Sequence, residues 1–458
     1  MTKFTRRQVI VGAAVGAVGA TGIYELVDQF AGGSAPSRGA GKVFPEQHLL
    51  GGIRIVDSEG VEVLVPPLHH EILTARVTPG RTDLRTAHTD FEHLLAQLDA
   101  DYAPSPTGLG VTVAWGLPYF HRLTPDALER YLPHDRRAGK PVVFDAERFQ
   151  SDPFDTRLES NDVAILLRSD TRANIDDATK RIRASKLFEL TSIRRGFAGG
   201  GFEGGQSLPK RMAVAAQIPG ADLIPDTSEL FLGFTSTQRA GMGPGTIANF
   251  ETLGYVDFRG SEYFRQGTHM HLSHIHEDVE AWYLNFDYDE RVATAFKPNL
   301  KVKQGKQTVR QGPKDVSTEA DVHRDYKRSG QMGHSASIQT TSRLPNDVVA
   351  HDGTVFPKGT AIPQRADFNT LDNPFAWSEK ADEIGVLPAA GVHFVVFNPT
   401  GDDFRRNRLA MDGQLPGKTI KLEARSRPQG FNEVLSTTHR QNFLVPPRRH
   451  RSFPLAEL

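Results

Sequence analysis

The sequence predicts an α+β protein whose second half repeats the architecture of its first in coarse outline. Three observations lead there. Short β-rich runs alternate with stretches whose apolar residues fall at helical spacing. The order strand, helix, strand, helix, strand, helix, strand occupies residues 53–197, the mark of a mixed domain built on one sheet. After a glycine-rich loop at 198–205, a similar succession returns between residues 263 and 410, without a residue-level repeat.

In chain order, residues 53–65 alternate enough for a strand or hairpin. Residues 91–98 carry apolar side chains at helical spacing, and 108–116 is a β-rich run ended by glycine. Thr124-Pro125-Asp126 opens a helix over 123–132, because a hydroxyl cap followed by proline and an acid suits a helix start. A buried strand with polar ends is expected at 161–170, a helix at 175–187 and a closing strand at 194–197. In the second half, 263–276 reads as a strand region and 278–282 begins a helix continuing toward 294. Residues 391–398 read as a buried strand, and 402–410 as a short helix carrying Arg405, Arg406 and Arg408. Residues 301–331 and 412–458 are polar and poorly periodic, as expected of surface excursions or a docked tail.

Composition narrows the function. With 458 residues the chain has room for several average domains or one large duplicated one. Its 38% apolar and 24% charged content is that of an ordinary soluble globular protein. A formal net charge of −1 provides no basic field to gather nucleic acid. The absence of cysteine excludes disulfides, thiolate metal ligands, iron–sulfur clusters and a cysteine nucleophile together.

At the N-terminus, Arg6-Arg7 precedes a glycine-rich apolar run over 9–23. That pattern is of the twin-arginine export type, and the run is shorter than the roughly 20 residues that span a bilayer. Small residues at 31–40 offer cleavage sites, and an uncleaved signal would leave a tether, the one membrane contact expected. The expected location is extracellular, cell-envelope or periplasmic. Folded cargo on this route often carries a cofactor inserted before export, which turns attention to cofactor-binding motifs.

Several motifs resemble the dye-decolourising peroxidase family. Leu109-Gly110-Val111-Thr112-Val113-Ala114-Trp115-Gly116-Leu117-Pro118-Tyr119-Phe120 is similar to the family's first-half strand and its "GxGxxxF"-like end. Asp162-Val163-Ala164-Ile165-Leu166-Leu167-Arg168-Ser169-Asp170 resembles its "DLLVQICADD" strand, and Arg194-Arg195-Gly196-Phe197 its "QRGF" turn. Phe231-Leu232-Gly233-Phe234 stands where the family has "LFGFKDGT". Residues 267–282 are similar to its strand and the helix ending in tryptophan. His393-Phe394-Val395-Val396-Phe397 followed by Phe404-Arg405-Arg406 resembles its last strand and helix. The series keeps the family's order over residues 45–415.

The resemblance implies duplicated ferredoxin-like halves with antiparallel sheets, of the dimeric α+β barrel type, around haem b. It implies an N-terminal half at 42–205, a C-terminal half with the haem pocket at 206–415, a signal and linker at 1–41, and a tail at 416–458. His334 takes the place of the proximal histidine in the family's "HxxR"-type stretch and so of the iron ligand. Arg365 takes the place of the distal arginine of an "LRRG" or "LRDN" stretch, and Phe234 that of a haem-contacting residue. The extra length between His334 and Arg365, with Asp352-Gly353 and Pro357-Lys358-Gly359, reads as an inserted hairpin. The implied reaction reduces hydrogen peroxide with an organic electron donor, and a homo-oligomer fits the family.

One position departs from the pattern. Ser236 stands where the family's "GFKDG" supplies an aspartate over the haem. A hydroxyl can hydrogen-bond to peroxide but near neutral pH cannot take its proton as a carboxylate does. A carboxylate from elsewhere, Asp367 being nearest in sequence, could compensate. The departure keeps a second reading open: a non-enzymatic haem or iron carrier. A third is a copper-binding secreted protein using His269, His271, His274 and His276. On a strand the first two would share one face and the last two the other. His69-His70 reads as structural, and the glycines at 199–205 lack the lysine and hydroxyl residue of a phosphate loop.

Overall fold

The computed structural model describes residues 22–31, 43–58, 61–78, 80, 83–198, 206–234, 249–304, 316–376 and 387–458. Eight strands form its centre: β1 (His69–Val77), β2 (Gly110–Gly116), β3 (Val163–Ser169), β4 (Phe188–Phe197), β5 (Thr268–Glu277), β6 (Phe368–Thr370), β7 (Gly391–Asn398) and β8 (Leu435–Val445). The first four lie in the order β2-β3-β1-β4, the last four in the order β6-β7-β5-β8. Counted within its own half, each order is second, third, first, fourth strand, the βαββαβ arrangement of a ferredoxin-like unit. The halves join through β2–β8 and β4–β6, and all eight pairings are antiparallel, so the sheet closes on itself. The duplicated α+β architecture expected from the sequence is therefore the observed one.

Period-two alternation assigns each strand residue to a face. Inward residues, among them Ile72, Ala114, Leu166, Leu272, Val395 and Phe443, fill the barrel. Outward residues of the first half meet the helices α1 (Leu84–Asp101) and α2 (Arg172–Ala184). Phe91, Leu94, Leu95 and Leu98 recur at three- and four-residue spacing and form the buried stripe of α1. They share one core with Leu73, Val111, Ile165 and Ile182.

The hairpin expected at 53–65 forms from Arg54–Ser58 and Val61–Val65. Thr124 caps the helix Pro125–Tyr131 by accepting from the Ala127 amide. The helix expected to run to 294 is two, Val279–Leu284 and Tyr288–Ala295, because Asp287 and Glu290 form a capping box that starts a new helix. The excursion at 301–331 contains a helix, Glu319–Ser329, nucleated by a Thr318–Asp321 capping box.

The boundary at 416 needs correction. The expected tail supplies β8, which pairs β5 along its whole length and closes the barrel onto β2. Its inward Phe443 and Val445 are fully buried. The 1–41 segment also contributes to the fold in part. Its residues 1–21 and 32–42 lie outside the description, but the turns Gly22–Glu25 and Leu26–Ala31 dock on the β4–β6 seam. The Tyr24 hydroxyl donates to Asp372 Oδ1 at 2.8 Å and accepts from the Leu371 amide at 2.9 Å. Asp28 accepts from His69 Nε2 at 2.7 Å. Among the described residues no helix is long and apolar enough to cross a membrane.

Candidate functional site

Where the first half is packed solid, the second half is hollow. Outward residues of β5 (Ser273, Ile275, Glu277) and β7 (Val392, Phe394, Val396) face a cavity of about 210 Å³ instead of a helix stripe. Its far wall comes from α3 (His334–Gln339), α4 (Gly401–Met411) and the turn around Phe431. Most of the lining surface is apolar, and many polar side chains, four of them arginine, converge on it.

His334 lines this cavity at the first residue of α3. Gly333 fixes its position: a Cβ there would overlap the Phe296 carbonyl, so the chain passes close against the end of the helix Tyr288–Ala295. On the other side Gly430 has φ +69°, and a Cβ there would stand 3.2 Å from the His334 amide nitrogen. The imidazole leans on Phe431 at 4.8 Å between ring centroids. Among the described residues neither ring nitrogen has a hydrogen-bond partner. Burial, helped by the positive charge of Arg365 and Arg408, pushes the His334 pKa down to about 3. The ring is therefore neutral at physiological pH, with a lone pair to offer.

Arg365 reaches the same cavity from a two-residue strand paired with β7 opposite Val396. Arg343 lines it too, its Nη1 donating to the Gly359 carbonyl at 3.1 Å. The Nε of each is buried without a partner, and neither has a salt bridge among the described residues. Arg408 and Arg440 differ. Arg408 bonds Asp412 at 2.9 Å and Arg440 bonds Asp152 at 2.6 Å, so they make the wall rigid and nearly neutral. Besides the paired Asp152, two further carboxyls face the cavity, Asp367 and Glu277. Burial, with Asp367 adding repulsion, pushes the Glu277 pKa up to about 8.

Of the residues named from sequence, the fold gathers His334, Arg365 and Phe234 around one cavity. The Phe234 ring packs on Phe296 at 5.3 Å between centroids. Ser236 lies outside the described residues. The insertion between His334 and Arg365 is a hairpin, Val348–Val349 with Val355–Phe356, away from the cavity. Of the histidines on β5, His269 and His271 do point out of the barrel, and His274 points in, beside His393 at 4.4 Å. His271 donates to Asn442 and accepts from Ser273, at 2.7 and 2.6 Å. Among the described residues no three potential ligands stand together as a metal site.

Glu277 and Arg343 escaped the reading by motif. A usable signal was present: Glu277 shares strand parity with Ser273 and Ile275, so an acid was bound for the same face as an apolar residue.

A family model matches residues 67–447, most of the chain. The chain belongs to DUF7405, a family of unknown function. No curated protein matches this DUF7405 chain in sequence. Solved structures with a similar fold include the DyP-type peroxidase from Cellulomonas bogoriensis, with 15% identity and a TM-score of 0.50. That match covers 88% of this chain and 96% of the peroxidase. Ferric DtpA from Streptomyces lividans matches with 13% identity and a TM-score of 0.50, over 83% of this chain and 89% of that one. At such identities the likeness is one of fold: the DUF7405 chain has the architecture of DyP-type peroxidases in a divergent sequence.

Proposed function

We propose that this DUF7405 protein binds haem b in the second-half cavity and acts as a peroxide-reducing oxidoreductase with an organic electron donor, exported by the twin-arginine route. The observation that carries the reading is His334: a neutral imidazole with no hydrogen-bond partner among the described residues, presented to an apolar cavity that also holds two arginines without carboxylate partners. That donor set suits haem, a flat apolar dianion with a metal centre. His334 would hold the iron through a ring nitrogen, and Arg343 and Arg365 offer charge to carboxylates or to an oxygen anion. The cavity is smaller than the roughly 300–1,000 Å³ that encloses drug-sized ligands, so a porphyrin enters only as the walls part.

Bound haem supplies the redox chemistry by which peroxide is reduced and a donor oxidised. The chain's own part is electrostatic and steric. Arg365 offsets negative charge that develops on a peroxide oxygen, an effect strengthened by the scarcity of water around it. Phe234, Phe394 and Phe431 keep water out.

The test is the absorption spectrum of the haem-supplemented protein. A Soret band at one haem per chain is expected, lost in His334→Ala and kept in His351→Ala, since His351 packs on Phe258 outside the cavity. Equal haem content in the two variants would sink the reading. The serine at 236 favours a second reading, a haem carrier without turnover. It predicts a stable Soret band with dye oxidation no faster than free haem gives, and no gain in Ser236→Asp.

A further inference from the structure

We propose that Glu277 is the proton carrier of this cavity: its carboxyl, not a side chain at position 236, moves the proton between the two oxygens of bound hydrogen peroxide. The inference deepens the haem-peroxidase reading and rests on it.

The geometry singles Glu277 out. It ends β5 on the outward face, after Ser273 and Ile275, and lines the same cavity as Arg365 and His334. The residue is 7% exposed, and its Oε2 is buried with no partner among the described residues. The neighbouring segment is pinned beside it. Trp282 Nε1 donates to the Leu232 carbonyl and the Tyr283 hydroxyl to the Phe231 carbonyl, both at 2.8 Å. This brings 231–234, the run that leads to Ser236, against the helix that follows Glu277. Glu277, Leu232 and Phe234 line the one cavity.

A buried carboxyl without a partner costs stability that an apolar residue would not. Such a cost at a cavity wall is characteristic of a working group. The charged and titratable groups around it are Asp367 from the strand segment beside β7, and Tyr283, with Arg291 over its ring, from the helices after β5. Asp367 supplies the repulsion that, with burial, holds the carboxyl protonated up to about pH 8.

The step balances within the peroxide. Ionised Glu277 takes the proton from one oxygen and delivers the same proton to the other. One O–H bond breaks, one forms, the carboxylate is regenerated, and no electron is transferred.

The experiment compares wild type, Glu277→Gln, Glu277→Asp and Asp367→Asn, each with and without haem. In haem-free protein, infrared titration should show a protonated-carboxyl stretch that vanishes near pH 8, is missing in Glu277→Gln, and vanishes at lower pH in Asp367→Asn. In haem-loaded protein, the rate constant for peroxide should rise with pH through the same midpoint. In Glu277→Gln it should fall by about 10²-fold or more and lose that rise, with haem stoichiometry unchanged and partial recovery in Glu277→Asp. A normal Soret band with an unaltered peroxide rate in Glu277→Gln overturns this assignment and leaves the haem reading standing. A carboxyl stretch that survives in Glu277→Gln overturns it as well. No Soret band in any variant removes the haem reading, and the peroxide chemistry assigned to Glu277 goes with it.

Discussion

On the first half of the barrel, α1 and α2 lay Phe91, Leu95 and Ile182 directly onto the outward face of the sheet. On the second half, the same face of the same strand order looks into a cavity ringed by His334, Arg343, Arg365, Asp367 and Glu277. A ferredoxin-like unit needs its outer face covered but not filled. One copy uses that face for stability. The other leaves it hollow, and there the fold tolerates unpaired polar groups.

The comparison can be broken by substitution. Phe91→Ala, in the solid half, should cost about 3–5 kcal/mol, read as a lower urea midpoint with an unchanged slope. Phe394→Ala, at the hollow wall, should cost under about 1–2 kcal/mol, since part of its surroundings is already empty. Equal losses would mean that the cavity closes in solution.

The seams between halves offer the next test. β4 and β6 meet at the single pair Asn369–Phe197. Tyr24 and Asp372 reinforce that junction, Asp372 Oδ2 accepting from the Arg195 amide at 2.8 Å. Removing residues 1–31 exposes the groove that buries Ile23, Tyr24 and Val27, worth about 1.5–3 kcal/mol for a fully buried apolar side chain. The melting temperature should fall by several degrees. No change would show that the segment is dispensable, as a cleaved signal would be.

Acid should act mainly through the second half, with His70 on β1, whose pKa burial lowers to about 3, adding to it from the first. Burial lowers the pKa of His269 to about 3 and of His439 to about 4, and of His271, His274 and His393 in the same direction. The unfolded chain binds these protons below about pH 6.5 and the folded chain does not, so stability should decline as pH falls through 6 toward 4. His439→Gln should flatten that slope, as a urea midpoint series in pH would show. Glu277 gives the smaller, opposite signature. Its raised pKa means the unfolded chain releases a proton that the folded chain keeps, so its contribution weakens from about pH 4.5 to 8. Glu277→Gln should remove that decline and raise the melting temperature at pH 8 by a few degrees.

The order of elements could be read from sequence because apolar periodicity and caps such as Thr124 are local. The 412–458 stretch misled, because β8 draws its burial from β5 and β2 rather than from its own composition. His334, Arg365 and Phe234 were visible as a series of motifs. Glu277 belonged to no motif, and its one signal was strand parity with Ser273 and Ile275.

By itself, then, the sequence determined the α+β class and the alternation of elements, properties written in spacing along the chain, and its resemblance to a known family pointed to three of the residues at the cavity. The tertiary structure alone decided that the sheet closes, that one half is filled and the other hollow, and that the buried Oε2 of Glu277 has no partner among the described residues. Closure and burial depend on which strands become neighbours, and that is fixed by contacts between residues hundreds of positions apart.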